Sequence, residues 1–272
     1  MLVALVVPLG AIASIEALFA PRADLWQRWT AHDPAAAAID HAPWDRFAKT
    51  YVKPQPDGVN RVAYARVSAA DRKALADYVA GLAGVPISAY HREQQLAYWL
   101  TLYNALTVKL VLDHYPVASI RDIDISPGWF SDGPWNKKLV TIEGEAVSLN
   151  DIEHRILRPI WRDARIHYAV NCAAVGCPHL KPEPFTADNT EALLNAAARE
   201  YVNHPRGARI ESGRLVVSSI YVWFSEDFGG SDEGVIAHLK RYAEPDLLAG
   251  LAAAERIDGF AYDWRLNDAP AP

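Results

Sequence analysis

The sequence is short of several features, and each shortage excludes a class of protein. Its formal net charge is −6, and no cluster of Lys and Arg is interleaved with aromatic residues, so nucleic acid is not expected as a partner. After residue 20 no stretch reaches the roughly 18 consecutive apolar residues of a membrane span. No repeat and no linker rich in Pro, Gly or Ser divides the chain, and we therefore expect a single domain over residues 21–272.

The first twenty residues form an apolar segment whose only charge is Glu16. Ala11 and Ala13 stand at the spacing that a signal peptidase reads, which predicts an export signal. Basic residues are missing before the apolar stretch and Pro8 interrupts it, so an N-terminal anchor is the alternative. We expect a periplasmic or otherwise exported protein with no membrane contact beyond this segment.

The remaining chain predicts an α+β fold, with helices packed around a small and mainly antiparallel sheet. The longest helix is expected over Ser88–His114, and it is apolar on nearly every side from Leu96 to Leu112, which is typical of a buried helix. Thr101, Asn104 and Thr107 form a polar stripe on it. These side chains must find partners inside the protein.

Two short apolar segments surround Glu143-Gly144-Glu145, which predicts a hairpin. Next, Asn150 is expected to begin a helix, in which Glu153 occupies the capping-box position. Helix capping would explain Glu153 without any catalytic role. No such structural role is evident for His154, which lies beside the apolar face of the same helix.

Both cysteines of the chain lie in one stretch, Arg165–Leu180. The alternation of Ile166, Tyr168 and Val170 with polar or small residues predicts a strand over Arg165–Asn171. Gly176 and Pro178 break the chain afterwards, so both thiols are expected at the rim of a sheet.

A thiol becomes a useful nucleophile when a base or a positive group lies beside it. In an extended strand His167 would lie roughly 16 Å from Cys172 and on the opposite face. His154 is therefore the preferred base for Cys172 or Cys177, and Asn104 or Glu153 would orient its imidazole. The resulting hypothesis is cysteine-dependent acyl or thiol transfer, or hydrolysis, on a peptide-like or thiol substrate.

No cofactor is expected for this reaction, and two other functions stay open at this point. The first is a non-catalytic module that binds a small ligand in an aromatic cleft lined by Trp129, Trp135 and Trp223, with His167 and Asn171 as further binding candidates. Cys172 and Cys177 would then form a structural disulfide, closing a loop of six residues that is worth about 2 kcal/mol. The second is a metal site built from both cysteines with His154 and His167, although the cysteine spacing is loose for zinc.

Several segments together resemble the domain of unknown function 547 family. They are AYWLTLYNALTVKLVL (97–112), SLNDIEHRILR (148–158), RIHYAVNCAAVGCPHL (165–180) and EPFTADN (183–189). With weaker similarities outside them, the resemblance covers roughly residues 40–267. It implies a bacterial and often exported protein without a named activity, and Asn104, His154, His167, Cys172 and Cys177 all match the family's motifs. At His179 the family more often has a second proline.

Overall fold

The structure is a computed structural model that describes residues 20–34, 38–127 and 133–270. The expected export signal or anchor, up to residue 19, lies outside these residues, as does Trp129. Within the described part of the chain, no helix is both long enough and apolar enough to cross a membrane.

The described residues group into two compact units. The larger unit comprises residues 23–197 and 263–270, and the smaller one comprises residues 20–22 and 198–262, each without the gaps given above. All candidate catalytic residues belong to the larger unit. A single domain over residues 21–272 stays a prediction.

The larger unit consists mainly of helices, with two short antiparallel hairpins. Its α-helices are α1 (Ala42–Tyr51), α2 (Ala69–Ala83), α3 (Arg92–His114), α4 (Arg158–Trp161) and α5 (Ile166–Ala169), with a π-helical segment at Asp151–Leu157. Its strands are β1 (Val52–Lys53), paired with β2 (Arg61–Val62), and β3 (Val140–Ile142), paired with β4 (Glu145–Val147). The next helix, α6 (Thr190–Val202), has residues in both units.

The long central helix α3 lies in the core of the larger unit, as its apolar sequence predicts. Most of its residues from Gln95 to Leu112 are buried. It begins later than expected, because Ile87–Ala89 forms a separate 3-10 turn and the His91 side chain accepts a hydrogen bond from the Gln94 N–H at the helix start. In the polar stripe, Thr101 Oγ1 donates to the Phe185 carbonyl at 3.2 Å.

Among its described residues the smaller unit contains a three-stranded sheet, three complete α-helices and a 3-10 turn at Ser225–Phe228. β5 (Ala208–Glu211) pairs antiparallel with β6 (Arg214–Ser218), and β6 pairs parallel with β7 (Gly259–Ala261). The helices are α7 (Ile220–Trp223), α8 (Asp232–Tyr242) and α9 (Pro245–Ala252). The α+β class and the long buried helix are confirmed, but the described strands form three small sheets in place of one.

The hairpin between β3 and β4 turns where its sequence predicts. Glu143 and Gly144 have φ values of 46° and 86°, the left-handed conformations that a two-residue hairpin turn requires and that glycine adopts without strain. Glu143 also accepts hydrogen bonds from Ser88, through the backbone N–H at 2.9 Å and the side-chain Oγ at 2.7 Å. The turn is thereby tied to the segment that precedes α3.

Candidate functional site

The helix that carries Glu153 and His154 is capped two residues earlier than the sequence predicts. Ser148 Oγ accepts a hydrogen bond from the Asp151 N–H at 3.1 Å, and the Asp151 carboxylate accepts one from the Ser148 N–H at 2.8 Å. This reciprocal pair is a capping box, whereas Asn150 makes no side-chain cap. The capping role expected for Glu153 is therefore wrong, and its carboxylate points elsewhere.

Glu153 lies in the interior, in a cluster of ionisable side chains. Its Oε1 is 3.7 Å from His167 Nδ1, and its Oε2 is 4.0 Å from His154 Nε2. Arg158 lies one turn further along, and its Nη1 is 3.0 Å from His154 Nδ1. All four side chains are buried. Such a cluster is expensive to bury and is a common feature of functional sites.

The carboxylate of Glu153 remains ionised inside this cluster. Burial alone would raise its pKa, but the nearby His154, His167 and Arg158 outweigh burial and lower the pKa from an ordinary 4.5 to about 2. At neutral pH the cluster therefore holds one full negative charge, opposite the permanent positive charge of Arg158.

The contacts of His154 define the tautomer of its ring. A guanidinium group can only donate hydrogen bonds, so His154 Nδ1 must accept from Arg158 at 3.0 Å. The hydrogen of a neutral imidazole is then on Nε2, the nitrogen that faces Glu153. Both ring nitrogens of His154 are directed at charged neighbours in the interior.

The segment before the cysteines is a turn of helix. Residues Ile166–Ala169 form α5, and the chain becomes extended only at Val170. The predicted strand over Arg165–Asn171 is therefore wrong. All five residues from Ile166 to Val170 are buried, so the alternation of residue types on which the prediction relied does not separate a buried face from an exposed one. The distance of roughly 16 Å that separated His167 from Cys172 depended on a straight strand and no longer applies.

Cys172 and Cys177 form a disulfide, with their Cα atoms 6.3 Å apart. Cys172 is partly exposed, whereas Cys177 is only 4% exposed. The Cys172 N–H donates a hydrogen bond to Cys177 Sγ at 3.0 Å. The two cysteines thus differ in exposure.

Asn104 and Asn171 fix the ends of the cysteine loop, by which we mean residues 171–178. Asn104 Nδ2 donates to the Ala169 carbonyl at 2.9 Å, and its Oδ1 accepts from the Asn171 N–H at 2.8 Å. Asn171 Nδ2 in turn donates to the Pro178 carbonyl at 2.7 Å, across the mouth of the loop. Asn104 therefore connects α3 to the loop, a contact that differs from the imidazole-orienting role predicted for it.

The tryptophans of the predicted aromatic cleft are not all described together. Trp129 lies outside the described residues, and Trp223 belongs to the smaller unit. Trp135 is half-buried and contacts Trp264 edge to face, with ring centroids 5.8 Å apart.

The described residues contain no group of three His, Cys, Asp or Glu side chains that could hold a metal ion. The metal site drawn from both cysteines with His154 and His167 has no support there. The sequence analysis does not single out Arg158, which is a member of the buried cluster. Its spacing of four residues from His154 is a signal that could have found it, because that spacing places both on one helix face.

Residues 87–202 match the family model described as "Protein of unknown function, DUF547". This range contains the disulfide, the buried cluster and Asn104. Neither the curated proteins nor the solved structures give a significant match.

Proposed function

We propose that this protein, whose residues 87–202 match the model of the DUF547 family, a family described without an activity, performs cysteine-dependent thiol transfer through Cys172 and Cys177. The observation that carries the proposal is the asymmetry of the disulfide. Cys172 is partly exposed and Cys177 is buried, so an incoming thiolate reaches Cys172 more readily than Cys177. Exchange rates depend on which sulfur can be attacked.

The exchange proceeds in two balanced steps. A substrate thiolate attacks Cys172 Sγ, the new sulfur–sulfur bond forms, and the bond to Cys177 breaks with its electron pair remaining on Cys177. A second substrate thiolate then attacks the substrate sulfur of the mixed disulfide and releases Cys172 as a thiolate. Two thiols have been oxidised to a disulfide, and the protein's disulfide has been reduced to a dithiol.

The backbone of Cys172 stabilises the leaving group of the first step. Its N–H already lies 3.0 Å from Cys177 Sγ, and a hydrogen bond to an ionised acceptor is roughly twice as strong as one to a neutral acceptor. Charge that develops on Cys177 therefore meets a donor that is in place before the reaction, and thiolates that are better stabilised leave faster.

His167 is the proposed proton donor to the Cys177 thiolate, in place of His154. Glu153 Oε1 lies 3.7 Å from Nδ1 of His167, and a carboxylate beside an imidazole favours its protonated form. His154 instead has both nitrogens directed at Arg158 and Glu153. His167 lies in α5, directly before the cysteine loop. Asn104 holds the chain between them through its hydrogen bonds to the Ala169 carbonyl and the Asn171 N–H.

The substrate class follows from access to Cys172. A partly exposed sulfur accepts a small thiol or a cysteine on an extended peptide segment more readily than a thiol inside a folded surface. An exported location is part of the same proposal, because disulfides persist in oxidising compartments. The apolar first twenty residues support it.

Two single cysteine variants test the proposed asymmetry. In Cys177→Ser the remaining Cys172 thiol should be captured rapidly by oxidised glutathione, and mass spectrometry of the intact native protein would show one added glutathione. In Cys172→Ser the buried Cys177 should react at least about tenfold more slowly. The double variant Cys172→Ser/Cys177→Ser controls for other sites. Equal rates in the two single variants, or no capture in either, would contradict the proposal.

A second candidate function is a non-catalytic module that binds a small ligand and keeps the disulfide permanently. The pairing of Trp135 with Trp264 favours it, since paired aromatic rings at a half-buried position suit one wall of a site for a small polar ligand. Under this alternative the disulfide of the folded protein resists millimolar reduced glutathione. Under thiol transfer it is reduced while the protein stays folded.

A further inference from the structure

The cysteine loop adopts a conformation that its own sequence does not favour. Ala173 has a φ of 60°, in the left-handed region where a side chain is strained, and it is fully buried. Residues in such conformations persist only where the surroundings impose them. The residues that hold Ala173 in this left-handed conformation therefore determine the structure of the cysteine loop.

Those surroundings come from the segment Asp263–Asp268, which lies outside the family match at residues 87–202. The segment runs antiparallel to the cysteine loop, with a bridge between Leu266 and Ala174. The Asn267 N–H donates to the Ala173 carbonyl at 2.9 Å, and the Val175 N–H donates to the Arg265 carbonyl at 2.8 Å. The backbone of the loop is thus paired from its strained residue onward.

Asn267 also contacts the side chain that closes the loop. Its Nδ2 donates to Asn171 Oδ1 at 3.1 Å, and the same oxygen accepts the Ala173 N–H at 2.9 Å. Asn267 Oδ1 accepts the hydroxyl of Tyr64 at 2.9 Å. Tyr64 is fully buried, and burial followed by the charge of Asp268 raises its pKa, so its hydroxyl keeps the hydrogen that it donates.

We propose that Asn267 is a positioning residue for thiol exchange, held by Tyr64, which orients Asn171 and thereby keeps the Cys172 N–H directed at Cys177 Sγ. This inference rests on the proposed function, because it names what aligns the donor to the leaving sulfur. It extends the site to the segment Asp263–Asp268 and to Tyr64. Neither belongs to the range that the family model matches.

The test measures the reduction equilibrium of the disulfide in glutathione buffers, together with the rate at which reduced glutathione opens it. Asn267→Ala should make the exchange about tenfold slower. It should also lower the equilibrium constant for reduction about tenfold, a shift of ~30 mV to more negative potential, because the reduced form loses an aligned donor. Arg265→Ala is the matched control, since Arg265 lies on the same segment with its side chain 79% exposed.

A second variant keeps the proposal falsifiable if Asn267→Ala does not fold. Tyr64→Phe removes only the hydroxyl that holds Asn267, and it should shift rate and equilibrium in the same direction by about threefold, the effect of a weak hydrogen bond. Rates and potentials equal to those of Arg265→Ala, or a faster reduction in either variant, would overturn the inference. If the wild-type disulfide itself does not exchange, the proposed function fails, whatever the variants do.

Discussion

Glu153 is the residue whose contribution to stability can be worked out most directly from the structure. Its pKa is about 2 in the folded protein against an ordinary 4.5, and each pKa unit corresponds to ~1.36 kcal/mol, so the ionised carboxylate stabilises the fold by about 3 kcal/mol. Because the pKa is lower in the folded state, this contribution is complete above pH ~4.5 and is lost as the pH falls toward about 2.

Glu153→Gln removes the negative charge from the buried cluster, and the loss of one partner of a buried ion pair typically costs about 3–5 kcal/mol in other proteins. Urea unfolding of wild type and variant between pH 7 and pH 2 would measure the difference. We expect the variant to be less stable by about 3 kcal/mol at pH 7, and the two unfolding free energies to converge toward pH 2. The difference between the two unfolding free energies at each pH is independent of the other carboxylates, because both proteins share them.

Glu183→Gln serves as the control, because Glu183 is exposed and its substitution should leave the pH profile unchanged. The reasoning would be refuted if Glu153→Gln followed the same pH profile as Glu183→Gln. It would also be refuted if the variant were more stable than wild type at pH 7. Either result would mean that the buried cluster does not hold Glu153 as an anion.

Two further predictions concern side chains that satisfy backbone groups. Asn104→Ala leaves the Ala169 carbonyl and the Asn171 N–H without their partner, so urea unfolding should show a loss of about 2–4 kcal/mol. Thr101→Val removes one hydrogen bond from the same helix and should cost about 1 kcal/mol; equal losses would contradict the role of Asn104. Ser68 Oγ caps α2 by accepting the Asp71 N–H at 3.1 Å, and Ser68→Ala should lower the stability by about 1 kcal/mol in thermal unfolding. An unchanged melting temperature would count against that cap.

The elements that could be predicted from the sequence are those in which local pattern and tertiary environment agree. The helix that contains Asn104 is apolar on nearly every side, and a helix of that kind is stable only in a core. The hairpin between β3 and β4 turns at Glu143 and Gly144, where the sequence predicts it. In both places the local signal needs no distant partner to be correct.

The cysteine segment could not be predicted in the same way. Its alternation of residue types indicates a strand, yet His167 is as buried as its neighbours because Glu153 lies beside it. That partner comes from a different helix, and no local pattern signals it. Likewise, the left-handed Ala173 is imposed by Asn267, which lies far along the chain.

The capping box was assigned to the wrong residues for a simpler reason. Ser148 followed by Asp151 and Asn150 followed by Glu153 both fit the spacing of a capping box. The structure uses the first pair, and this choice leaves Glu153 available for the buried cluster. The sequence alone cannot decide between these two overlapping capping boxes, because the choice depends on how the helix packs in the folded protein.

The most direct test of the central claim is the reduction potential of the Cys172–Cys177 disulfide in the folded wild-type protein. It is measured by equilibration in glutathione buffers, followed by acid quenching, thiol labelling and mass spectrometry. Thiol transfer predicts a midpoint above about −270 mV, in the range of exchanging disulfides. A midpoint below about −300 mV, typical of structural disulfides, would contradict it.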